Sequence, residues 1–221
     1  MSKPRILAIT AIVAVLAFIL ATILYNNSQR KQAASAPGVD EGVLVKFHSP
    51  VIGPQNAPVT IVEFFDPSCE ACRALHPIVK QIMAEFPGMV RVVLRYTTFH
   101  QGSDEVVRIL ETARMQGKFE PVLEALFDTQ PSWAIHGAPD IGIAWEAAGS
   151  AGLDLDRARS EMMNPEITEI LRQDMADVER AGVKKTPTYF VNGQPLPSFG
   201  VEQLYNLVRT NVEAARVNSG S

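Results

Sequence analysis

The chain has 221 residues, 47% of them hydrophobic, and its 20 basic and 24 acidic residues give a formal net charge of −4. Four basic residues lie before residue 32, whereas the first acidic residue is Asp40, so the chain after residue 31 has a formal charge of −8. An acidic body without a basic stripe argues against nucleic acid as a partner. The composition indicates a globular protein with one apolar segment added.

The apolar segment is Ile6–Tyr25 near the N-terminus. As a helix it would span about 30 Å, the thickness of the hydrocarbon core of a bilayer. Lys3 and Arg5 precede it, which predicts that residues 1–5 stay in the cytoplasm. The alternative is a cleaved signal peptide, but the run is long for one, and the nearest small-residue triplet, at 34–36, lies well beyond it. We therefore predict a retained transmembrane anchor.

A linker and one domain follow the predicted anchor. Residues 26–42 are polar and alanine-rich and contain Pro37 and Gly38, which predicts a flexible tether. Residues 43–218 have the size of a single domain. The sequence thus predicts one extracytoplasmic domain on a single-pass inner-membrane anchor.

The domain begins with a βαβ pattern. Pro58–Phe65 is rich in β-branched and aromatic residues and predicts a strand, and Met89–Tyr96 predicts a second one. The helix between them carries an apolar stripe with a 3.6-residue rhythm, formed by Leu75, Ile78, Val79, Ile82, Met83 and Phe86. Two strands joined by a crossover helix predict a parallel pair.

The segment from about 103 to 165 predicts a helical insertion without a strand. Its helical stretches are Asp104–Lys118, Glu120–Thr129, Ile141–Ala148 and Asp154–Met163. After it come a helix at Glu166–Ala181, a strand at Thr188–Val191, a hairpin turn at Asn192–Gly193 and a closing helix at Val201–Ala215. The element order is therefore β-α-β, a helical block, and α-β-β-α, which is an α/β fold.

The only two cysteines are Cys69 and Cys72, at the start of the first predicted helix. Positions i and i+3 share a helix face, so the two thiols can close a small disulfide ring and reopen it. Cys72 falls close to the apolar stripe and Cys69 toward its edge, which predicts an accessible Cys69 and a shielded Cys72. The amides and dipole of the helix N-terminus favour negative charge at Cys69. We predict that Cys69 is the nucleophile and Cys72 the resolving thiol.

Other uses of the two cysteines are open at this point. A structural disulfide would stabilise little across so short a loop, and zinc would need more ligands than the pair supplies. His76 completes a face with Cys69 and Cys72, which keeps a copper-binding or copper-delivery protein as the alternative function. A redox-inert binding module is the third possibility.

Four features together resemble the thioredoxin superfamily over residues 58–86 and 183–215. The CxxC follows the first core strand in FFDPSCEAC, and Pro77 lies inside the following helix, where the family carries a kinking proline. Glu63 lies six residues before Cys69, matching the family's buried acid, and Thr186-Pro187-Thr188 matches the cis-proline loop. The resemblance implies a thioredoxin fold with Thr186 and Pro187 at the substrate groove and Glu63 as the proton-transferring group.

The helical insertion resembles the DsbA-like branch, whose members act on protein thiols outside the cytoplasm. The dipeptide Glu70-Ala71 departs from the Pro-His of that branch, in which the histidine stabilises the thiolate. Because Glu70 is negative, it predicts a less oxidising pair. We read His48, His100 and His136 as surface or packing residues, and we predict that Trp133 and Trp145 pack the insertion.

The predicted function is a thiol–disulfide oxidoreductase that acts on extracytoplasmic protein cysteines in oxidative folding. Catalysis would rest on Cys69, Cys72, Glu63 and Pro187. No bound cofactor is expected, since the dithiol itself carries two electrons. The expected partners are cysteine-containing client proteins and a membrane redox partner that recycles the dithiol.

Overall fold

The computed structural model describes residues 14–22 and 39–219. Residues 14–22 form helix α1, in a unit covering residues 1–38, and a second compact unit begins at Val39. Within the described ranges, no helix is both long enough and apolar enough to cross a membrane. Most of the predicted anchor Ile6–Tyr25 and residues 26–38 of the tether lie outside the described residues.

The second unit is built around a five-stranded mixed sheet in the order β1-β3-β2-β4-β5. Its strands are β1 (Val51–Ile52), β2 (Val59–Phe65), β3 (Val90–Tyr96), β4 (Thr188–Val191) and β5 (Gln194–Pro195). The central pair β2–β3 is parallel, as the βαβ pattern predicts. The other three pairs are antiparallel, including the β4–β5 hairpin predicted from Asn192–Gly193.

Helices cover the sheet and form the insertion. They are α2 (Glu41–Leu44), α3 (Glu70–Glu85), α4 (Ser103–Met115), α5 (Phe119–Trp133), α6 (Ile141–Ser150), α7 (Leu155–Glu161), α8 (Pro165–Arg180) and α9 (Val201–Ser219). The four helices α4–α7 form the block predicted between the two halves of the fold. Trp133 and Trp145 are buried in the apolar core, as predicted.

Both faces of the sheet are covered by apolar cores, so the central strands are buried. The larger core contains Ile61 and Phe65 of β2, and a smaller one on the opposite face contains Val62 and Phe64. Nearly every side chain of β2 is therefore buried, whichever way it points. Glu63, in the middle of this strand, is buried with the rest.

Two short elements escaped prediction. Strand β1 has two residues and pairs with the edge of β3, and α2 is a four-residue helix capped by Asp40. Runs this short carry no periodicity. Residues 39–42, expected in the tether, belong to the compact unit, where the buried Arg95 donates to the Leu44 carbonyl at 2.9 Å.

Arg95 also joins β3 to α8 through charges that the sequence reading did not single out. Its guanidinium lies 2.8 Å from carboxylate oxygens of both Asp174 and Asp177. His48, predicted as a surface or packing residue, is buried with its Nε2 2.8 Å from Asp174. Buried charges are stable only when they are paired in this way, so the group holds the N-terminal end of the unit against the sheet.

Candidate active site

The two cysteines lie where the central strand β2 turns into helix α3. The strand ends at Phe65, Cys69 occupies the N-cap position, and α3 begins at Glu70. The backbone amides of Ala71 and Cys72 point at the Cys69 sulfur, as expected at a helix N-terminus. Pro77 lies inside α3, two turns into the helix.

The Cys69 thiol is the more acidic of the pair. A hydrogen bond from the Cys72 side chain is the main reason that its pKa falls to about 5, with further help from the Thr186 side chain and the two amides. Burial acts in the opposite direction but is outweighed. At neutral pH Cys69 is therefore a thiolate.

Cys72 behaves in the opposite way. Burial raises its pKa well above the ordinary value, and the hydrogen bond to Cys69 and the charge of Glu63 raise it further. Cys72 is 0% exposed and Cys69 only 6%. Cys69 is thus the more accessible sulfur, although it is more enclosed than the sequence predicts.

The loop before β4 faces the Cys69 sulfur. The Thr186–Pro187 peptide bond is cis, as predicted for this loop. The Cys69 Sγ lies 3.4 Å from the carbonyl oxygen of Thr186 and donates to it when protonated. This carbonyl borders the reactive sulfur on one side, and Pro187 directly follows it in the chain.

Glu63 lies in β2 opposite Tyr189 of β4. Burial raises the pKa of Glu63 to about 8; the nearby Tyr189 side chain lowers it in part, and the Cys69 charge raises it slightly. The Tyr189 hydroxyl is itself buried without a hydrogen bond of good geometry. Glu63 can therefore hold or release a proton near neutral pH, within electrostatic range of Cys72.

Glu70, the residue expected to oppose the thiolate, is paired with a histidine of the insertion. His136 Nε2 lies 2.8 Å from Glu70 Oε1, and the imidazole lowers the pKa of this carboxyl. The His136 ring also meets the His100 ring edge-on, with centroids 5.9 Å apart. Both histidines, predicted as surface or packing residues, thus lie beside the CxxC. No sequence spacing links them to the cysteines, so the residue pattern alone could not have found them.

Asp66 organises the turn that leads to Cys69. It is fully buried, and Oδ1 accepts from the Ser68 amide at 2.8 Å and the Ser103 hydroxyl at 2.6 Å. Its Oδ2 accepts from the amides of Phe99 and His100 at 2.7 and 3.0 Å. The Asp66-Pro67-Ser68 sequence signals a strand end, but it does not reveal that this carboxylate joins three segments.

The insertion also supports the turn through Gln130 of α5. Its amide nitrogen donates to the Pro67 and Cys69 carbonyls at 2.8 and 3.1 Å, and its oxygen accepts from Arg73 Nε at 3.0 Å. These carbonyls lie just before α3, so one buried side chain fixes the backbone that carries the reactive sulfur.

The chain is similar to a known protein family and to solved structures. A family model described as Thioredoxin matches residues 46–209. The chain belongs to the thioredoxin family. A thioredoxin-like oxidoreductase from Silicibacter pomeroyi is 30% identical, with a TM-score of 0.67 over 80% of this chain and 98% of that one. The predicted family and the oxidoreductase class are confirmed.

Solved structures of lower sequence identity have the same fold as this chain. Oxidised BdbD from Bacillus subtilis is 22% identical, with a TM-score of 0.67 over 75% of this chain and 94% of that one. A periplasmic thioredoxin-like protein from Salmonella enterica serovar Typhimurium is 18% identical, with a TM-score of 0.60 over 78% and 95%. At these identities the likeness concerns the fold alone.

One relative is a much longer protein. A Na(+)/H(+) antiporter NhaA from Herminiimonas arsenicoxydans is 32% identical over 144 residues, which are 65% of this chain and 22% of the relative. The chain thus spans about a fifth of this relative's length. The similarity covers only one segment of the antiporter. The ion exchange in its name describes the longer protein.

The copper-binding alternative needs Cys69, Cys72 and His76 to face one another, and the described part of the chain does not show this arrangement. His76 turns its Nε2 to Glu124 of α5, at 2.9 Å. In residues 14–22 and 39–219, no group of three histidine, cysteine or acidic side chains is arranged to hold a metal ion. His76 is instead buried on the packed face of α3, against the Phe127 ring.

Proposed function

We propose that the chain is a thiol–disulfide oxidoreductase that oxidises cysteines of proteins outside the cytoplasm, using Cys69 and Cys72. One observation carries this proposal: the two thiols, one helical turn apart, have pKa values displaced in opposite directions. A reactive thiolate beside a protonated, buried thiol is what a nucleophile and its resolving partner require.

The proposed reaction starts from the Cys69–Cys72 disulfide. A client thiolate attacks the Cys69 sulfur; the bond to Cys72 breaks, and its electron pair goes to the Cys72 sulfur. A second client thiolate then attacks the client sulfur of the mixed disulfide, forming the client disulfide and releasing Cys69 as a thiolate. Two electrons thus pass from the client to the pair.

Glu63 supplies the proton in this scheme. Cys72 leaves as a thiolate, yet burial favours its protonated form, so it needs a donor that water cannot readily reach. A buried carboxyl with a pKa of about 8 holds a proton at pH 7 and can give it to Cys72. In the reverse direction the same carboxylate accepts it.

The acidity of Cys69 supports the oxidising direction. A low thiol pKa stabilises the reduced protein relative to its disulfide and makes Cys69 a good leaving group. The hydrogen bond with His136 lowers the pKa of Glu70 and keeps this carboxyl charged, so the low pKa of Cys69 is reached with that negative charge beside it.

Client binding and recycling complete the proposal. The Thr186 carbonyl borders Cys69 and is followed by Pro187, and we assign both residues to the groove that receives the client backbone. A membrane redox partner would reoxidise the dithiol, and the segment Ile6–Tyr25 would anchor the chain in the inner membrane. A structural neighbour named as periplasmic is consistent with a domain on the outer side.

The proposal is tested by trapping and by the reduction potential. Cys72→Ser should accumulate mixed disulfides through Cys69 because the resolving thiol is gone, and the matched control Cys69→Ser should form none. Equilibration of the wild type with glutathione should give a potential above roughly −200 mV, in the range of oxidases. Equal trapping by both variants would contradict the assigned roles, and a potential near that of thioredoxin would contradict the oxidising direction.

A further inference from the structure

The exchange mechanism leaves one buried polar group beside Glu63 without a use, the hydroxyl of Tyr189. The Tyr189 side chain is 2% exposed, and among the described residues its hydroxyl has no hydrogen-bond partner of good geometry. Folded proteins rarely bury a polar group in this way, because it loses its bonds with water and gains none. Phenylalanine would fill the same space without that penalty, so we expect the hydroxyl to act at another step of the reaction.

The register of the strands places Tyr189 against Glu63. Strand β4 is antiparallel to β2, and these two residues are direct partners. The side chains of such partners leave the same face of the sheet, with Cβ atoms about 4.5–5.5 Å apart. On this face Tyr189 belongs to the larger core, which also contains Cys69 and Cys72. The hydroxyl, the carboxyl and both sulfurs therefore share one buried region.

The neighbour of Glu63 on the other side is apolar. Its partner in register on β3 is Leu94, which belongs to the same core and has no group that donates a hydrogen bond. The titratable groups near Glu63 come from β4 and from the start of α3: they are Tyr189, Cys69 and Cys72. Of the two strand neighbours in register, Tyr189 is thus the one that can donate to the carboxyl.

The hydroxyl favours one protonation state of Glu63. A protonated carboxyl is neutral, but a carboxylate left in the core after proton transfer is disfavoured by burial. Burial raises the pKa of Glu63 to about 8, and the Tyr189 side chain limits this rise. Burial also raises the pKa of Tyr189 well above its ordinary value, so the hydroxyl keeps its proton and remains a donor. Hydrogen bonds to ionised acceptors are about twice as strong as those between neutral groups.

We propose that Tyr189 is a positioning residue of the proton step, and that its hydroxyl donates to the Glu63 carboxylate once Glu63 has passed its proton to Cys72. The inference rests on the proposed function and deepens it by adding a residue that acts through Glu63. One proton moves from the Glu63 oxygen to the Cys72 sulfur, and the negative charge moves from the sulfur to the carboxylate. The Tyr189 O–H bond stays intact and turns towards the new charge.

A titration of Glu63 tests the contact directly. Tyr189→Phe removes the hydroxyl and keeps the ring that packs in the core. Carbon-13 NMR of the oxidised full chain with labelled glutamate gives the pKa of Glu63, and Glu63→Gln identifies its signal. Loss of the donor should raise this pKa by about one unit. The matched control Tyr205→Phe removes a hydroxyl that donates to Glu85, at the far end of α3 from the cysteines, and should leave the pKa unchanged.

The pH profile of exchange separates this role from a structural one. Reduction of the Cys69–Cys72 disulfide by dithiothreitol is followed from pH 6 to 9.5, and the ratio of variant to wild-type rates cancels the ionisation of the reagent. At pH 6 Glu63 is protonated in both proteins, and the weaker acid in Tyr189→Phe should react about threefold more slowly. The alkaline fall should begin about one pH unit higher in the variant, so the ratio should rise to one at about pH 8–9.

A measurement on the wild type covers the case in which Tyr189→Phe does not fold. The NMR signal of the Tyr189 ring carbon that bears the hydroxyl should move with pH at the midpoint of the Glu63 titration. Glu63→Gln should abolish this movement. A signal that stays constant through the titration of Glu63 would contradict the contact.

The contrary outcomes separate the proposal from the function on which it rests. A pKa of Glu63 that is unchanged or lower in Tyr189→Phe overturns the proposal and leaves the exchange reaction standing. A rate ratio that is the same at every pH does so too, because a purely structural defect has no pH dependence of its own. A wild type that reacts with no thiol overturns the proposed function, and with it the part of Tyr189 in the proton step.

Discussion

At the scale of single residues, this site works through opposed environments a few ångströms apart. Cys69 has amides and a donor thiol around it, and its pKa falls to about 5. Cys72 and Glu63 lie deeper, and burial raises the pKa of both. In the dithiol form, Cys69 can therefore carry a negative charge while Cys72 and Glu63 beneath it stay protonated. Directional exchange needs this distribution, because one sulfur must react and the other must wait.

Glu63→Gln tests the proton step. The amide cannot donate to or accept from Cys72, so release of Cys72 should slow by about tenfold or more at pH 7. Peptide binding should change much less. Stopped-flow tryptophan fluorescence of the exchange reaction between pH 5 and 8 provides the measurement, and equal rates over that range would remove Glu63 from the mechanism.

The stability of the same variant has a defined sign. The pKa of Glu63 rises from 4.5 to about 8 on folding, so the folded state binds this proton more tightly. That contribution is fully present below pH 4.5 and is lost as the pH rises through about 8. Glutamine does not titrate, so urea unfolding of the dithiol proteins should show Glu63→Gln gaining stability over wild type between these values. A constant difference would contradict the burial of an ionisable Glu63.

At the scale of elements, the insertion supports the turn that carries the cysteines, besides covering the sheet. Gln130 of α5 binds the carbonyls before α3, and Ser103 of α4 donates to Asp66. The reactive turn is thus held by contacts between segments that are distant in the sequence. Such contacts give little freedom for the Cys69 backbone to move.

Asp66→Ala should destabilise the fold markedly. Each carboxylate oxygen of Asp66 accepts two hydrogen bonds, and the substitution removes both oxygens. A buried donor that loses its partner costs about 1–3 kcal/mol. Because some of these donors can reach water after relaxation, we expect a total loss of roughly 2–4 kcal/mol. Asp128→Ala, on the exposed side of α5, is the control and should stay within about 0.5 kcal/mol. A loss below about 1 kcal/mol for Asp66→Ala would contradict the role of this carboxylate.

The same elements explain what the sequence could and could not predict. The long periodic segments were predictable: β2, α3, β3 and the helices of the insertion lie within a few residues of their expected bounds. So were Cys69, Cys72, Glu63 and Pro187 as candidates, because each of them belongs to a motif that can be recognised from a short stretch of sequence. His136, Gln130 and Asp66 were missed because their positions depend on how the insertion packs, and no local pattern encodes that packing.

At the scale of the whole molecule, the compact unit beginning at Val39 is an acidic domain. The chain after residue 31 carries a formal charge of −8, which disfavours contact with an anionic lipid surface. Under the proposed function the domain meets protein clients and a membrane partner, and it would gain from being held near the bilayer without adhering to it. The proposed arrangement of anchor, tether and domain meets this need.

Location decides whether the chemistry runs in the oxidising direction, because disulfides persist outside the cytoplasm. Ile6–Tyr25 is long enough to span a bilayer, and Lys3 and Arg5 favour a cytoplasmic N-terminus. The full chain with a C-terminal epitope, expressed in a Gram-negative host, should fractionate with the inner membrane. Protease added to spheroplasts should remove the epitope, while a cytoplasmic control protein stays intact. Protection of the epitope until the membrane is ruptured would invert the topology and contradict the extracytoplasmic function, whereas a soluble periplasmic chain starting near residue 37 would contradict only the anchor.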